Sequence, residues 1–389
     1  MSEPLRLCVV GDGRTPHVVE RARVFAERGH RVCLVSEEPV DVPGIEWRQP
    51  RNRVRLPKLR VLGRARAVIE AIDGCHADVV HVHFAHGFPA WVAPAARTGP
   101  LVVSVMGGDV LFDERQKSPR DRRLTTALLR AADLITAKSQ FLSDAVASLA
   151  PGVPRRRAMW GVDTRLYAPG DTAAARRQLG IPDGGFVVLS PRGLSPLYNI
   201  EAIVAGFATA LGARSDARLL IVEHAPDADY ARRIRERVAE LGLSGRAHFL
   251  PGVPAREMPV YYAAADVVVS APLSDGLPQT LLEAMACGRP HVLPPLPRYR
   301  ELVENGRDAL FAEATPEGLG AAFARLAGDP ALRLGLGEQA RATILREADR
   351  ESELAGMERT YREIVASARP RSLGQRLRYL GGVLAEHLR

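Results

Sequence analysis

The chain has 389 residues, 46% of them apolar and 25% charged, and carries a net charge of +8. That length exceeds what one hydrophobic core comfortably serves, so two domains are expected. The composition is that of an ordinary soluble globular protein and excludes a disordered, fibrous or collagen-like chain. Cys8, Cys33, Cys75 and Cys287 show no paired spacing, and Cys8 and Cys33 lie in apolar strand-like runs. They read as buried thiols in a reducing cytosol. No cluster of metal ligands is visible, so no metal is expected. The first strand begins by Leu5, leaving no room for a signal peptide. The longest weakly charged stretch, 86–109, contains Pro89, Pro94, Arg97 and Pro100, which excludes a transmembrane helix there.

The first strand, 5–11, ends in the loop Asp12-Gly13-Arg14, and a helix over 17–28 leads through Gly29-His30 to a strand at 31–36. This is a βαβ opening. The loop is too short for a dinucleotide fingerprint, since Gly-x-Gly-x-x-Gly is absent, but Gly13 can let a substrate approach the backbone. Residues 51–66 hold seven basic side chains and no acidic one. The run reads as a solvated surface, or as a contact for anionic lipid or a phosphorylated acceptor. Nucleic acid is disfavoured, because no aromatics are interleaved. Strands follow at 78–82 and 101–105, each with a loop and a helical stretch behind it. His81 and His83 share a face of the first of these, and His86 follows them. Asp109 closes Met106-Gly107-Gly108-Asp109. A strand at 133–138 and a helix at 139–149 complete the first half.

A segment rich in Gly, Pro and Asp, 169–185, marks a hinge with a short helix at 173–179. Strand and helix then alternate again: strands at 186–190, 218–222 and 247–250, helices at 199–211 and 228–241. Arg192 lies just past the first of these strands, where a guanidinium suits a diphosphate leaving group. The most informative stretch is 265–293. Apolar strands at 265–270 and 291–293 flank a loop and a helix at 280–286, with Pro278 at the first helical position and Gly288 as a C-cap. Such a unit presents backbone N–H groups at the C-terminal edge of a parallel sheet, where phosphates bind. Asp275 sits in the loop and Glu283 eight residues on, in the helix.

The acidic-x7-Glu pattern of Asp275 and Glu283 resembles the carboxylate motif of retaining GT-B glycosyltransferases of the family 4 (group 1) type. The ending of the first helix through Gly29-His30-Arg31-Val32 is similar to theirs, as are Trp160-Gly161-Val162-Asp163 and Leu166-Tyr167-Ala168-Pro169 on the way out of the first domain. The resemblance implies two Rossmann-like domains facing across a cleft: residues 1–168 on the acceptor side, 169–352 on the nucleotide-sugar side, and a tail, 353–389, packing back on the first. It further implies that Glu283 takes the ribose hydroxyls and that Asp275 and His83 lie near the transferred sugar. Arg192 would meet the diphosphate, and Gly276, Leu277, Pro278, Gln279, Thr280 and Tyr198 would line the donor. Gly13, Asp109 and His86 would stand on the acceptor side.

Four positions depart from the family pattern. Asp275 stands in place of the commoner Glu, and Tyr198 occupies the place of a phosphate-binding Lys. Met106 replaces a His or Trp, and Glu223-His224-Ala225 replaces a glycine-rich turn. Asp227-Ala228-Asp229 matches the metal-binding Asp-x-Asp of GT-A enzymes but falls at a helix start, where capping explains it. The stripe Leu373, Leu377, Leu380, Leu384 and Leu388 reads as docking against the protein, with a membrane as the alternative.

The expected activity is metal-independent, retaining transfer of a sugar from a UDP- or GDP-linked donor. No cofactor or nucleic acid is involved. The acceptor is a lipid-linked glycan, a polysaccharide precursor or a small molecule. A sugar-nucleotide 2-epimerase and a catalytically silent GT-B partner subunit are the alternatives. The expected place is the cytoplasm, with peripheral contact at an anionic inner membrane face as a variant of it.

Overall fold

The computed structural model describes residues 3–54, 56–97, 99–112, 118–224 and 226–388. Arg55 of the basic run and Ala225 lie outside these residues, as does the side chain of Leu388. The chain divides into two compact units, Met1–Met159 with Leu354–Arg389, and Trp160–Glu353.

The first unit runs β1 (Arg6–Val10), α1 (Pro16–Glu27), β2 (Arg31–Val35), β3 (Ile45–Arg48), α2 (Arg60–Gly74), β4 (Val79–His83), α3 (Phe88–Val92), β5 (Leu101–Val105), α4 (Pro119–Ala131), β6 (Leu134–Ala137), α5 (Gln140–Leu149) and β7 (Arg155–Arg157). The strands make one sheet in the order β3-β2-β1-β4-β5-β6-β7, all parallel, with Cys8 opposite Cys33 and Val9 opposite His81. Runs such as Val79-Val80 and Leu101-Val102-Val103 are buried throughout because helices cover both faces of a parallel sheet.

The second unit runs α6 (Thr172–Gln178), β8 (Val187–Ser190), α7 (Ile200–Leu211), β9 (Arg218–Glu223), α8 (Ala228–Glu240), β10 (Ala247–Pro251), α9 (Met258–Ala264), β11 (Val267–Val269), α10 (Gln279–Ala286), β12 (His291–Leu293), β13 (Leu310–Phe311), α11 (Pro316–Gly328) and α12 (Pro330–Glu347). Its parallel sheet has the order β10-β9-β8-β11-β12-β13. After Glu347 come α13 (Arg350–Ser367) and α14 (Leu373–Leu388). They join the first unit through Glu358, which takes Arg28 at 2.6 Å and His30 at 3.0 Å, and through Tyr379, whose hydroxyl donates to the Trp91 carbonyl at 2.8 Å.

In each sheet the strand order reverses direction once: between β1 and β4 in the first unit, between β8 and β11 in the second. Loops leaving such a pair diverge to opposite faces and open a crevice at the strands' C-terminal ends. Residues 11–14 and 83–87 flank the first crevice. Arg192 and Asp275 flank the second.

Several expectations need correction. Cys33 and Cys75 form a disulfide, with Cα atoms 5.9 Å apart, so Cys33 is not a free thiol; β2 and the end of α2 meet only in three dimensions. Pro278 is the residue before α10 and not its first residue, with extended backbone (φ −74°, ψ 150°). Gly288 follows the cap Cys287 at φ +67°. Its N–H donates to Met285 and that of Arg289 to Ala284, the paired bonds that close a helix on a left-handed glycine. The leucine stripe of the tail splits: Leu380 and Leu384 pack on the core of the first unit, whereas Leu373 and Leu377 are 59% and 58% exposed. The basic run continues into α2, which its arginines had hidden. Among the described residues no helix is long and apolar enough to cross a membrane.

Candidate active site

The crevice of the second unit gathers most of the donor-side residues expected from sequence. Arg192 follows β8 and can turn sharply there because Gly193 has no Cβ; one would lie 2.3 Å from the His224 carbonyl. Its Nη1 meets Asp275 Oδ2 at 2.9 Å, with both side chains nearly buried, and reaches Thr280 Oγ1 at 3.4 Å. The guanidinium lies over the Tyr198 ring, 4.2 Å from its centroid. Tyr198, in the place of the family's lysine, therefore orients the arginine as a stacking platform. Burial opposes the charge on Arg192, but Asp275 and the neighbouring tyrosines outweigh it and raise its pKa.

Asp275 is held from three further sides. Tyr299 donates its hydroxyl to Oδ2 at 3.0 Å, Gly276 its N–H to Oδ1 at 2.8 Å, and Arg298 binds the Asp275 carbonyl at 2.9 Å. Burial, then the charge of Asp275, pushes the Tyr299 pKa up, so this hydroxyl stays a donor. Leu277 is buried, while Gly276 has open space where a Cβ would stand. Gln279 donates to the Gly161 carbonyl at 3.2 Å. Gly161 is itself required, since φ is +63° and a Cβ would stand 2.7 Å from the Ala348 carbonyl.

Helix α10, like α7 and α9 of the same unit, starts without a side-chain cap. Ser139, Asp171 and Asp227 cap α5, α6 and α8 with side-chain acceptors, whereas Pro278 supplies none. The first-turn N–H groups of α10 are thus left without a capping side chain beside Arg192, an arrangement suited to an anion. Asp227 is the cap that sequence reasoning expected, accepting from the Tyr230 N–H at 2.9 Å.

Glu283 is 7% exposed and accepts from the Tyr262 hydroxyl at 2.8 Å. Burial raises its pKa; bonds from Tyr262 and Tyr167 oppose that shift in part. Tyr262 and Tyr299 carry no local sequence signal, because each reaches its carboxylate only through tertiary packing.

In the first unit a cavity of about 550 Å³ opens at the crevice. His83 and His86 line it, with Asp12, Arg14, His17 and Arg64. His83 is buried and stacks on His81 at 4.0 Å. Burial, then the neighbouring His81 and Arg21, holds its pKa far below the ordinary value, so it is neutral at physiological pH. His81 itself points into the core, between Tyr361 and Ser104. His86 lies edge-on to Trp91 at 4.9 Å and 3.8 Å from Asp121. Burial, with Lys138 and Arg21, lowers His17 to about 4. Arg14 pairs with Asp12 at 3.0 Å and Arg64 with Glu37 at 2.6 Å. Arg14 lies in the loop 12–14 and Arg64 in the basic run 51–66, both noted from sequence, whereas nothing local marks His17.

Gly13 donates its N–H to Ser36 Oγ at 2.8 Å, and a Cβ there would stand 2.3 Å from Val40, so neighbouring side chains occupy that flank. Asp109 is fully buried. Its carboxylate accepts from the N–H groups of Ala85, Met106 and Gly107 at 2.7–3.0 Å, tying two crevice loops together. Asp109→Ala should therefore lower unfolding free energy by about 3 kcal/mol, from donors left unsatisfied. Urea denaturation checks this, and a loss under about 1 kcal/mol would refute the tie.

Two parallel sheets in successive α/β units are the layout of the GT-B architecture. Residues 12–166 match the family model described as Glycosyltransferase Family 4, and residues 171–343 that described as Glycosyl transferases group 1. The D-inositol 3-phosphate glycosyltransferase of Acidothermus cellulolyticus is 32% identical over 95% of this chain and 90% of its own. The protein of the same name from Geodermatophilus obscurus is 28% identical over 80% and 77%. Among solved structures, sucrose-phosphate synthase from Thermosynechococcus elongatus matches with a TM-score of 0.77 at 20% identity, covering 93% of this chain and 99% of that one. HepE from Anabaena, solved with UDP, gives 0.78 at 20% identity, covering 92% and 100%. The chain belongs to the group 1 (family 4) glycosyltransferases and is a retaining glycosyltransferase of GT-B fold.

Proposed function

We propose that this enzyme moves a hexose from UDP to a hydroxyl of a phosphate-bearing polyol, free or carried as a lipid headgroup. The observation that carries the donor half is the Arg192–Asp275 pair beside the uncapped start of α10. When a nucleoside diphosphate enters, its phosphates compete with Asp275 for the guanidinium and accept the first-turn N–H groups. Glu283 receives the ribose diol. The leaving diphosphate, its developing charge met by Arg192, accepts the proton of the attacking hydroxyl on the same face of the sugar. Catalysis is then positioning plus electrostatic stabilisation. UDP is favoured because HepE, which shares the fold, was solved with it.

The acceptor half rests on the cavity of the first unit, whose arginines suit a phosphate and whose neutral His83 suits a sugar hydroxyl. Relatives named for D-inositol 3-phosphate agree with that chemistry. The test is UDP release from UDP-glucose with inositol phosphate, with unphosphorylated inositol and with phosphatidylinositol vesicles. Release stimulated by either phosphorylated form above the unphosphorylated polyol supports the reading. Equal stimulation by all three removes the phosphate from it, and no UDP binding removes the donor assignment. Because Arg192 and α10 meet the phosphate charge, turnover should persist in excess EDTA. Strict dependence on added manganese would reject this mechanism.

A further inference from the structure

Leu62 and Arg66 of α2 line one groove with Leu373, Arg376, Leu377 and Leu380 of the tail. Leu56, Leu59 and Leu62 are 63%, 46% and 48% exposed, and Leu373 and Leu377 more than half. Leucines that large are normally covered or scattered singly; here they recur on two adjoining elements. Around them the chain is cationic: residues 51–66 hold seven basic side chains and 369–378 four, with no acid in either stretch. Among the described residues Arg53, Lys58 and Arg60 form no ion pair, unlike Arg66, which takes Glu70 at 2.7 Å. The groove's carboxylates are engaged within the unit, Glu70 by Arg66 and Asp73 by the Arg97 N–H at 2.5 Å.

We propose that this α2–α14 face docks on an anionic lipid surface, with the leucines entering the headgroup boundary and the unpaired cations meeting phosphates. A partner protein would need matching acidic and apolar patches, whereas a bilayer presents both everywhere. Amphipathic leucine faces flanked by Lys and Arg bind membranes through apolar burial plus charge. The docking rests on this surface alone and is independent of how the reaction is read.

The test is flotation of the full chain with phosphatidylglycerol vesicles and with phosphatidylcholine vesicles. Binding should occur only with phosphatidylglycerol and fall as salt rises, since the screening length shrinks from ~10 Å at 0.1 M to ~3 Å at 1 M. Arg53, Lys58 and Arg60 changed together to Gln should weaken it roughly fivefold per charge removed. Leu62→Gln with Leu377→Gln should weaken it at least about tenfold, with circular dichroism and UDP affinity unchanged. Three results would overturn the proposal: no flotation with phosphatidylglycerol at low salt, flotation indifferent to the leucine changes, or self-association in solution that those changes abolish. The last would make the face an interface between two copies.

Discussion

Arg192→Ala should lower kcat by roughly 10²–10³, equivalent to ~2.7–4 kcal/mol of lost transition-state stabilisation, by analogy with removing one preorganised donor from a developing anion. The guanidinium stands at the end of β8, stacked on Tyr198 and fixed by Asp275, so its orientation is set before the donor arrives. The diphosphate, already anionic in the donor, gains further charge as the glycosidic bond breaks, so the loss should fall more on kcat than on the donor KM. Arg192→Lys keeps the charge but loses the fork and the planar stack, and should recover only part of the rate. UDP release under saturating donor measures this. A kcat within threefold of the unaltered enzyme would end the assignment.

Stability has to be separated from chemistry, because Arg192 and Asp275 form a nearly buried pair. Removing one member leaves the other uncompensated, at a cost of about 3–5 kcal/mol. Replacing both by Ala should recover much of that loss, leaving behind only the neutral donors of Tyr299 and Gly276 without their acceptor. Activity should not return with stability.

Position at a sheet edge was legible from the sequence wherever chain order alone sets it. Runs such as Val267-Val268-Val269 and Val187-Val188-Leu189 can only be buried parallel strands, so the residues just after them had to reach the sheet edge. Arg192, Thr280 and Asp275 follow from that. Asp227 was legible as a cap because a helix start needs an acceptor there. What stayed hidden depends on tertiary contact. The helix α2 was masked because the seven basic side chains of 51–66, three of them within it, break the apolar pattern, although Ala65, Val68 and Ile72 are buried on one side of it. Cys33 meets Cys75 across 42 residues, and Tyr299 meets Asp275 across 24; neither spacing has any local meaning. Asp109 was found for its loop motif, but its three N–H partners, which make it a tie between loops, come from two separate segments. Pro278 suits either side of a helix boundary, so its one-residue displacement was not decidable from propensity.

Glu283→Gln should weaken UDP binding at least about tenfold, ~1.4 kcal/mol, because a diol bonded to a carboxylate loses charge-assisted bonds of roughly 1.5–3 kcal/mol each. Tyr262 fixes one oxygen of the side chain at 2.8 Å, which would orient it for this proposed role. Burial raises its pKa, which gives the assignment two further signatures. The neutral acid is a poor diol acceptor, so UDP affinity should decline as pH falls through that raised pKa, above the range of an ordinary carboxylate, and the decline should vanish in the Gln variant. The stability sign is opposite. A carboxyl whose folded-state pKa lies above its unfolded value contributes stability that is fully present below the unfolded pKa and lost as pH rises through the folded one. Above that raised pKa the ionised Glu283 is therefore a net burden on the fold, and Glu283→Gln should there leave Tm unchanged or raise it. Affinity and Tm moving apart in this way separates a ligand-binding carboxylate from a structural one, whose loss would lower both. Calorimetric titration with UDP across a pH series, together with thermal melts, decides it; an unchanged Kd in a folded variant sinks the ribose assignment.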